Sequence, residues 1–152
     1  MVEHYTKSLP YELELTSRVV HEASTSLFKQ KNFPITHDEF VILDCLSIYP
    51  DIIQIELAKM ILKGRAHTGR FLMALEEKGF IKRTPAKHGT KLIMKLSITP
   101  EGLNVYKKVS KEIDRHIDAL HERLNMDKIR ILIDMLHDIR KDAYENFDID
   151  FK

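Results

Sequence analysis

The sequence predicts a mainly helical fold that carries one small β-hairpin, and three observations lead there. Apolar residues recur at three- and four-residue steps through most of the chain. Helix-boundary signals stand at Pro10, Thr36, Pro50, Gly79, Thr99-Pro100 and Asn125. Only between Phe80 and Ile98 does the pattern change, to two short strand-like runs around a segment containing Pro85 and Gly89.

The elements follow in order. Pro10 opens an amphipathic helix that runs to about Gln30, with Leu13, Thr16, Val20, Ala23 and Leu27 on one face. Thr36 and Glu39 form a capping box for a second helix, and Ile35 with Phe40 closes a hydrophobic staple around it. This helix runs through Val41, Leu43 and Leu46 to Pro50. Asp51 and Gln54 repeat the capping logic for a short third helix through Leu57, Ala58 and Ile61, broken at Lys63-Gly64. A fourth spans Arg65 to Lys78, with Phe71, Leu72 and Leu75 as its apolar face and Gly79 as its stop. Phe80 to Thr84 reads as a strand, Pro85 to Thr90 as a turn and Lys91 to Ile98 as a second strand of unsettled register. Thr99 caps a long helix marked by Leu103, Tyr106, Val109, Ile113, Ile117, Leu120 and Leu124. A break at Asn125 precedes the last helix, whose stripe is Ile129, Leu132, Ile133, Leu136, Ile139, Ala143 and Phe147.

At 152 residues, 43% of them hydrophobic, the chain is long enough for one domain with its own core, and no repeat or linker divides residues 1–152. The lone cysteine, Cys45, excludes a disulfide framework and a multi-cysteine zinc centre. Apolar runs of a few residues cannot span a bilayer, and a first segment interrupted by charges is not a signal peptide. A cytoplasmic protein without a membrane partner is expected.

The net charge of +1 conceals a division. Between Lys59 and Lys95 stand ten basic residues and two acids, so this stretch carries +8 and the remainder −7. A short helix, a tight turn, a helix and a hairpin describe a winged helix-turn-helix, with the helix-turn-helix at 51–79 and the wing at 80–98. The basic stretch falls on that unit, where cations can approach phosphates and enter a groove. A solvated charged face on an ordinary helical domain is the competing reading. Of the flanking segments at 9–32 and 100–147, the second carries, in Leu103 to Leu124 and Ile129 to Phe147, more apolar stripe than so small a lobe can cover.

Three runs carry a resemblance: Glu56-Leu57-Ala58-Lys59, the stretch LEEKGFIKR at 75–83 and LSITPEG at 96–102. In order and spacing the chain from about Leu13 to Ala143 resembles the MarR family of transcriptional regulators. That resemblance implies an obligate homodimer in which the first, fifth and sixth helices interlock, and two winged lobes that read a pseudo-palindromic operator on double-stranded DNA. It places Arg65 to Met73 on the recognition helix. With the apolar face turned inward, Arg65, Ala66, His67, Gly69, Arg70 and Met73 are left for DNA, joined by Lys63, Arg83, Lys87 and Lys91. Arg65 and Arg70 can meet guanine edges or phosphates. Gly69 fits either close approach to a DNA backbone or close helix packing, and Gly64 leaves backbone amides free at the helix start. The implied dimer interface takes in Leu13, Leu120, Leu124, Ile129, Ile133, Leu136 and Ala143. The wing departs from the family, whose members carry an Asp-x-Arg pair there. Here the tip is Lys87-His88-Gly89-Thr90-Lys91, and lysine reads a narrow groove less well than arginine.

A repressor released by a small effector is the expected function. Cys45, between apolar residues of the second helix, reads as a buried small hydrophobe rather than a peroxide sensor. His116, His121 and His137 read as scattered surface residues, and no metal or other cofactor is expected. Tyr5, Tyr11, Tyr49 and Tyr106 either line a small-ligand pocket or belong to core and interface. No nucleophile has a base at a known spacing and no phosphate-binding glycine loop is present, so catalytic residues are not assigned. Two other readings compete: a winged-helix protein-interaction module without DNA binding, and a redox- or metal-sensing regulator of the same fold.

Overall fold

The computed structural model describes residues 4–149, so the extreme ends of the 1–152 span lie outside the described residues. After one 3₁₀ turn at Tyr5–Lys7 come α1 (Leu9–Gln30), α2 (His37–Ile48), α3 (Gln54–Met60) and α4 (Arg65–Glu77). The hairpin is β1 (Ile81–His88) and β2 (Lys91–Ile98), and α5 (Pro100–Arg123) and α6 (Met126–Asn146) complete the order. This is the mainly helical winged architecture that the sequence predicts.

Three helices end by the same device. In each, one residue past the helix takes a left-handed conformation: Asn32 (φ 51°), Leu62 (φ 52°) and Gly79 (φ 74°). The amides that follow turn back on the last carbonyls, as with Lys63 N to Ala58 O at 3.1 Å and Phe80 N to Leu75 O at 2.9 Å. Glycine and asparagine suit that position. Leucine does not, so the turn of the helix-turn-helix holds a strained residue where the sequence reading put the break at Lys63-Gly64.

Three further boundaries differ from expectation. The cap of α3 is Ile53, not Asp51, which itself adopts φ 64° in the preceding turn; Glu56 accepts from the Ile53 amide. Strand β1 continues through Pro85 to His88, in register with β2 from Ile81↔Ile98 to His88↔Lys91. Pro85 is tolerated because β1 is an edge strand, where a residue without an amide proton need not break the ladder. The loop shrinks to Gly89-Thr90, where Gly89 supplies the positive φ of 62° that a tight hairpin needs at its first position. Ile53 also bridges to Lys95, and Leu96 N donates to Ile52 O at 2.9 Å, so the segment before α3 lies along the free edge of β2.

The core is built from Ile42, Leu43 and Leu46 of α2, Leu57 of α3, Leu72 and Leu75 of α4, Ile81 and Leu96 of the wing and Val109 of α5. From α1 only Phe28 is buried. The face assigned to α1 does not turn to this core: Val20 and Ala23 are exposed and Leu13 half-buried. On α5 burial fades along the helix, from Val109 through Ile113 to the exposed Ile117, Leu120 and Leu124. Every described residue of α6 is at least partly exposed.

Two polar devices lock the lobe. Glu39, only 2% exposed, closes the capping box with the Thr36 amide at 2.7 Å and accepts two bonds from Lys78 Nζ, at 2.9 and 2.7 Å. That ties the start of α2 to the end of α4. At the same end of α4, Thr99 donates its hydroxyl to Gly79 O (2.7 Å) and its amide to Phe80 O (3.0 Å), while its Oγ1 accepts from Gly102 N (3.0 Å). Gly102 makes this fit possible, since a Cβ there would lie 2.0 Å from the Phe80 carbonyl oxygen.

These contacts separate two glycines that look alike in the sequence. Gly102→Ala should destabilise the protein by about 3 kcal/mol, the upper end of overpacking costs. Gly69→Ala should stabilise it by about 1 kcal/mol through helix propensity, because its Cβ would meet only Gln54 Nε2 at 3.5 Å. Urea denaturation of both variants checks the opposite signs.

Candidate nucleic-acid interface

Helix α4 begins at Gly64, which caps with no side-chain acceptor, so the first amides remain available to an anion. Thr68 and Leu72 are buried with Leu75, and the Thr68 hydroxyl bonds back to Gly64 O at 3.1 Å. At about 100° per residue, Arg65, Gly69, Met73, Ala66 and Arg70 then form one outward stripe, with His67 at its edge. Arg65, Ala66, His67, Arg70 and Met73 are exposed and Gly69 is half-buried. Since a Cβ at Gly69 meets only ordinary contact distance, helix packing does not demand the glycine. Arg65 reaches toward the wing, where it shares a hollow of about 200 Å³ with Ile53, Leu92 and Met94.

The basic residues divide into two sets. Three are committed within the lobe. Lys63 pairs with Asp38 at 3.0 Å and lies over the Phe71 ring, 5.8 Å from its centroid. Lys78 is held by Glu39, and Arg83 grips Glu76 through two nitrogens, one of them Nε at 2.8 Å. The Arg83 bond depresses the Glu76 carboxyl below the usual carboxylate range and raises the guanidinium in turn. Lys63 and Arg83, both assigned to DNA from the sequence, are thus struts: one holds the turn before α4, the other joins α4 to the wing. Lys59, Arg65, Arg70, Lys82, Lys87, Lys91 and Lys95 have no carboxylate within ion-pair distance among the described residues. Six of these seven are exposed, and Lys95 is half-buried.

Lys87 and Lys91 flank the wing tip, fully exposed. Beside them Leu92 is 73% exposed, the most open of the large apolar side chains. The sequence left the register of this strand unsettled; the observed pairing sets Leu92 opposite Lys87 near the tip of the hairpin.

The remaining candidates are dispersed. Tyr5 and Tyr11 form an edge-to-face pair at the start of α1, Tyr49 is exposed after α2, and Tyr106 stacks on Phe40 while donating to Asp44 Oδ1 at 2.7 Å. They line no common pocket among the described residues. His116 and His137 are exposed and His121 is half-buried, without a shared ligand set. His21 and His37, which the sequence reading passed over, face each other between α1 and α2. Burial lowers the His37 pKa below the ordinary histidine value, despite the opposing pull of Asp38. Among the assigned interface residues, Leu120, Leu124 and Ile133 are exposed and Leu13, Ile129, Leu136 and Ala143 half-buried; Leu9, Val19, Ile131, Leu132 and Met135 are further exposed apolar side chains of α1 and α6.

The MarR family model matches residues 35–88, from the residue before the α2 cap to the last residue of β1. Over that segment the chain is similar to the MarR family. The uncharacterized HTH-type transcriptional regulator YybA of Bacillus subtilis strain 168 is 26% identical over 137 residues, covering 90% of this chain and 89% of that protein. The crystal structure of the transcriptional regulator SlyA superposes with a TM-score of 0.76 at 27% identity, over 92% of this chain and 96% of that one. The transcriptional repressor CouR, bound to a 23-mer DNA duplex, superposes with a TM-score of 0.78 at 26% identity, over 91% and 99% of the two chains. CouR is also known bound to p-coumaroyl-CoA. No helix among the described residues is long and apolar enough to cross a membrane.

Cys45 is half-buried, and burial together with the neighbouring Asp44 raises its thiol pKa. A thiol kept protonated at neutral pH is a poor nucleophile. Alkylation of the native protein at pH 7.5 should therefore be slower than that of a small free thiol and should accelerate on unfolding. Mass spectrometry over a time course checks this, and rapid oxidation by mild peroxide would contradict it.

Proposed function

We propose that the chain is a sequence-specific DNA-binding transcriptional regulator, a homodimeric repressor released by a small ligand. The observation that carries this reading is the α4 stripe, where two unpaired arginines stand on an exposed helix beside a lysine-tipped wing. The DNA and acyl-CoA complexes of CouR support the same pairing of operator and effector. Arg65 and Arg70 would contact base edges or phosphates, and the N-terminal amides of α4 a phosphate. Lys87 and Lys91 would follow the backbone beside the wing, with Lys63 and Arg83 holding the reading elements in place. The fold and family are those of transcriptional regulators, and no enzymatic role is assigned. Such a protein would work in the cytoplasm, as one unit of residues 1–152.

Fluorescence anisotropy with a duplex from the protein's own promoter tests the reading. Arg65→Ala and Arg70→Ala should each cost about 1–3 kcal/mol of binding. Binding should weaken steeply with salt; a phosphate contact appears as a salt slope lower by about one, a base contact as lost sequence preference. Binding of both variants at wild-type strength would refute the assignment of α4.

The dimer would form over α1, the second half of α5 and α6, whose apolar side chains have no cover within one chain. Analytical ultracentrifugation should return a dimer. Ile133→Glu, at a residue 47% exposed in the single chain, should shift it toward monomer without unfolding the lobe. A dimer of unchanged strength would place the interface elsewhere.

A further inference from the structure

An open groove of about 750 Å³ lies between the end of α1, the α1–α2 connection and the start of α2. On its wall stand three side chains to which the DNA-binding reading gives no direct contact with DNA. His21 projects from α1 and is exposed, while His37 and Asp38 are the first two residues of α2 and half-buried. One ligand atom from each, two imidazole nitrogens and a carboxylate oxygen, lie within 4.8 Å of one another. The two histidine rings meet edge to face with centroids 6.0 Å apart, and Phe28 braces His37 from another side at 5.6 Å. His37 Nδ1 is buried and has no hydrogen-bond partner among the described residues. A buried imidazole nitrogen without a partner costs free energy that a new bond would recover.

We propose that His21, His37 and Asp38 form a binding site for a divalent transition-metal ion of the zinc class. Two imidazoles and one carboxylate suit zinc and its neighbours in the first row, whereas calcium and magnesium require oxygen ligands throughout. Three protein ligands leave a fourth position for water or an anion. With bonds of about 2.0–2.2 Å, tetrahedral ligand atoms stand roughly 3.4 Å apart. The cluster must therefore contract by about an ångström, and the exposed His21 has the rotamer freedom to do so. His37 and Asp38 are fixed by the capped start of α2. Of the lysines nearby, Lys78 is neutralised by Glu39.

The site joins two parts that a regulator must connect. His21 belongs to α1, the helix with the uncovered apolar face. Asp38 Oδ1 holds Lys63 at 3.0 Å, and Lys63 directly precedes Gly64, the cap of α4. A cation on Asp38 weakens that grip by competing for the same negative charge, so metal binding loosens the turn that aims the recognition helix. The metal site stands independently of the DNA-binding reading; only this regulatory consequence rests on it.

The test uses the full-length protein after chelator treatment, titrated with zinc alone in competition with a chromophoric chelator. One zinc per protomer is expected. His21→Ala, an exposed and fold-neutral change, should weaken binding at least about tenfold, since even outer-shell losses cost that much. Asp38→Asn should do the same, and His116→Ala should not. Absence of stoichiometric zinc binding, or binding unaffected by His21→Ala and Asp38→Asn, overturns the site. Amide hydrogen exchange should quicken at Ile61–Gly64 when zinc is bound; unchanged exchange there, with zinc bound, overturns the regulatory link. Neither measurement contains DNA, so failure here is distinct from failure of the promoter titration.

Discussion

The carbonyl of Phe80 is where the lobe is fastened to the rest of the molecule. It accepts the Thr99 amide, and the bare Cα of Gly102 allows α5 to start directly against it. Thr99 at the same time bonds the carbonyl of Gly79, the residue whose left-handed conformation ends α4. Recognition helix, wing and long helix therefore share one hydrogen-bonded knot a few residues across. Backbone groups bonded in such a knot give up those bonds only at a cost in free energy. The direction of α4 is consequently set by α5, and any change in the pose of α5 is passed to α4.

The remaining ties of the lobe are ion pairs. Glu39 and Lys78 bring α2 to the end of α4 through a charge pair that also completes a helix cap. Asp38 and Lys63 tie α2 to its beginning, and Arg83 ties the wing to its flank through Glu76. The basic stretch thus commits three of its ten cations to rigidity and leaves the other seven without a carboxylate partner among the described residues. A positively charged face gives attraction to phosphate, and fixed geometry makes that attraction selective. With lysines alone at the wing tip, selectivity depends chiefly on how firmly α4 is held.

Much of this was legible in the sequence. Helix order, the Thr36 capping box, the Thr99-Pro100 start and the Asn125 break follow from local chemistry, which tertiary packing did not override. The exposed residues of α4 were legible for the same reason, since three buried positions define the opposite face. What escaped detection depended on distant partners. Arg83 and Lys63 look like DNA contacts until Glu76 and Asp38 are found beside them. Pro85 reads as a turn residue because nothing local reveals that the hairpin has free outer edges. The His21, His37 and Asp38 cluster joins residues 16 positions apart on two helices, beyond the reach of any spacing rule. The Val20 face of α1 is apolar but uncovered, and one chain's sequence cannot separate a core-facing stripe from one that faces a partner.

In a dimer of this fold the knot at Phe80 and Thr99 would hold the two recognition helices at a set separation. Spin labels at Met73→Cys in both protomers, on a Cys45→Ser background, measure that separation directly by electron–electron resonance. A narrow distance distribution near one DNA turn, roughly 34 Å, is expected with the knot intact. Thr99→Val, which removes the hydroxyl bonds but not the apolar dimer face, should broaden it while the dimer persists. A distribution equally narrow in the Thr99→Val dimer would contradict the claim.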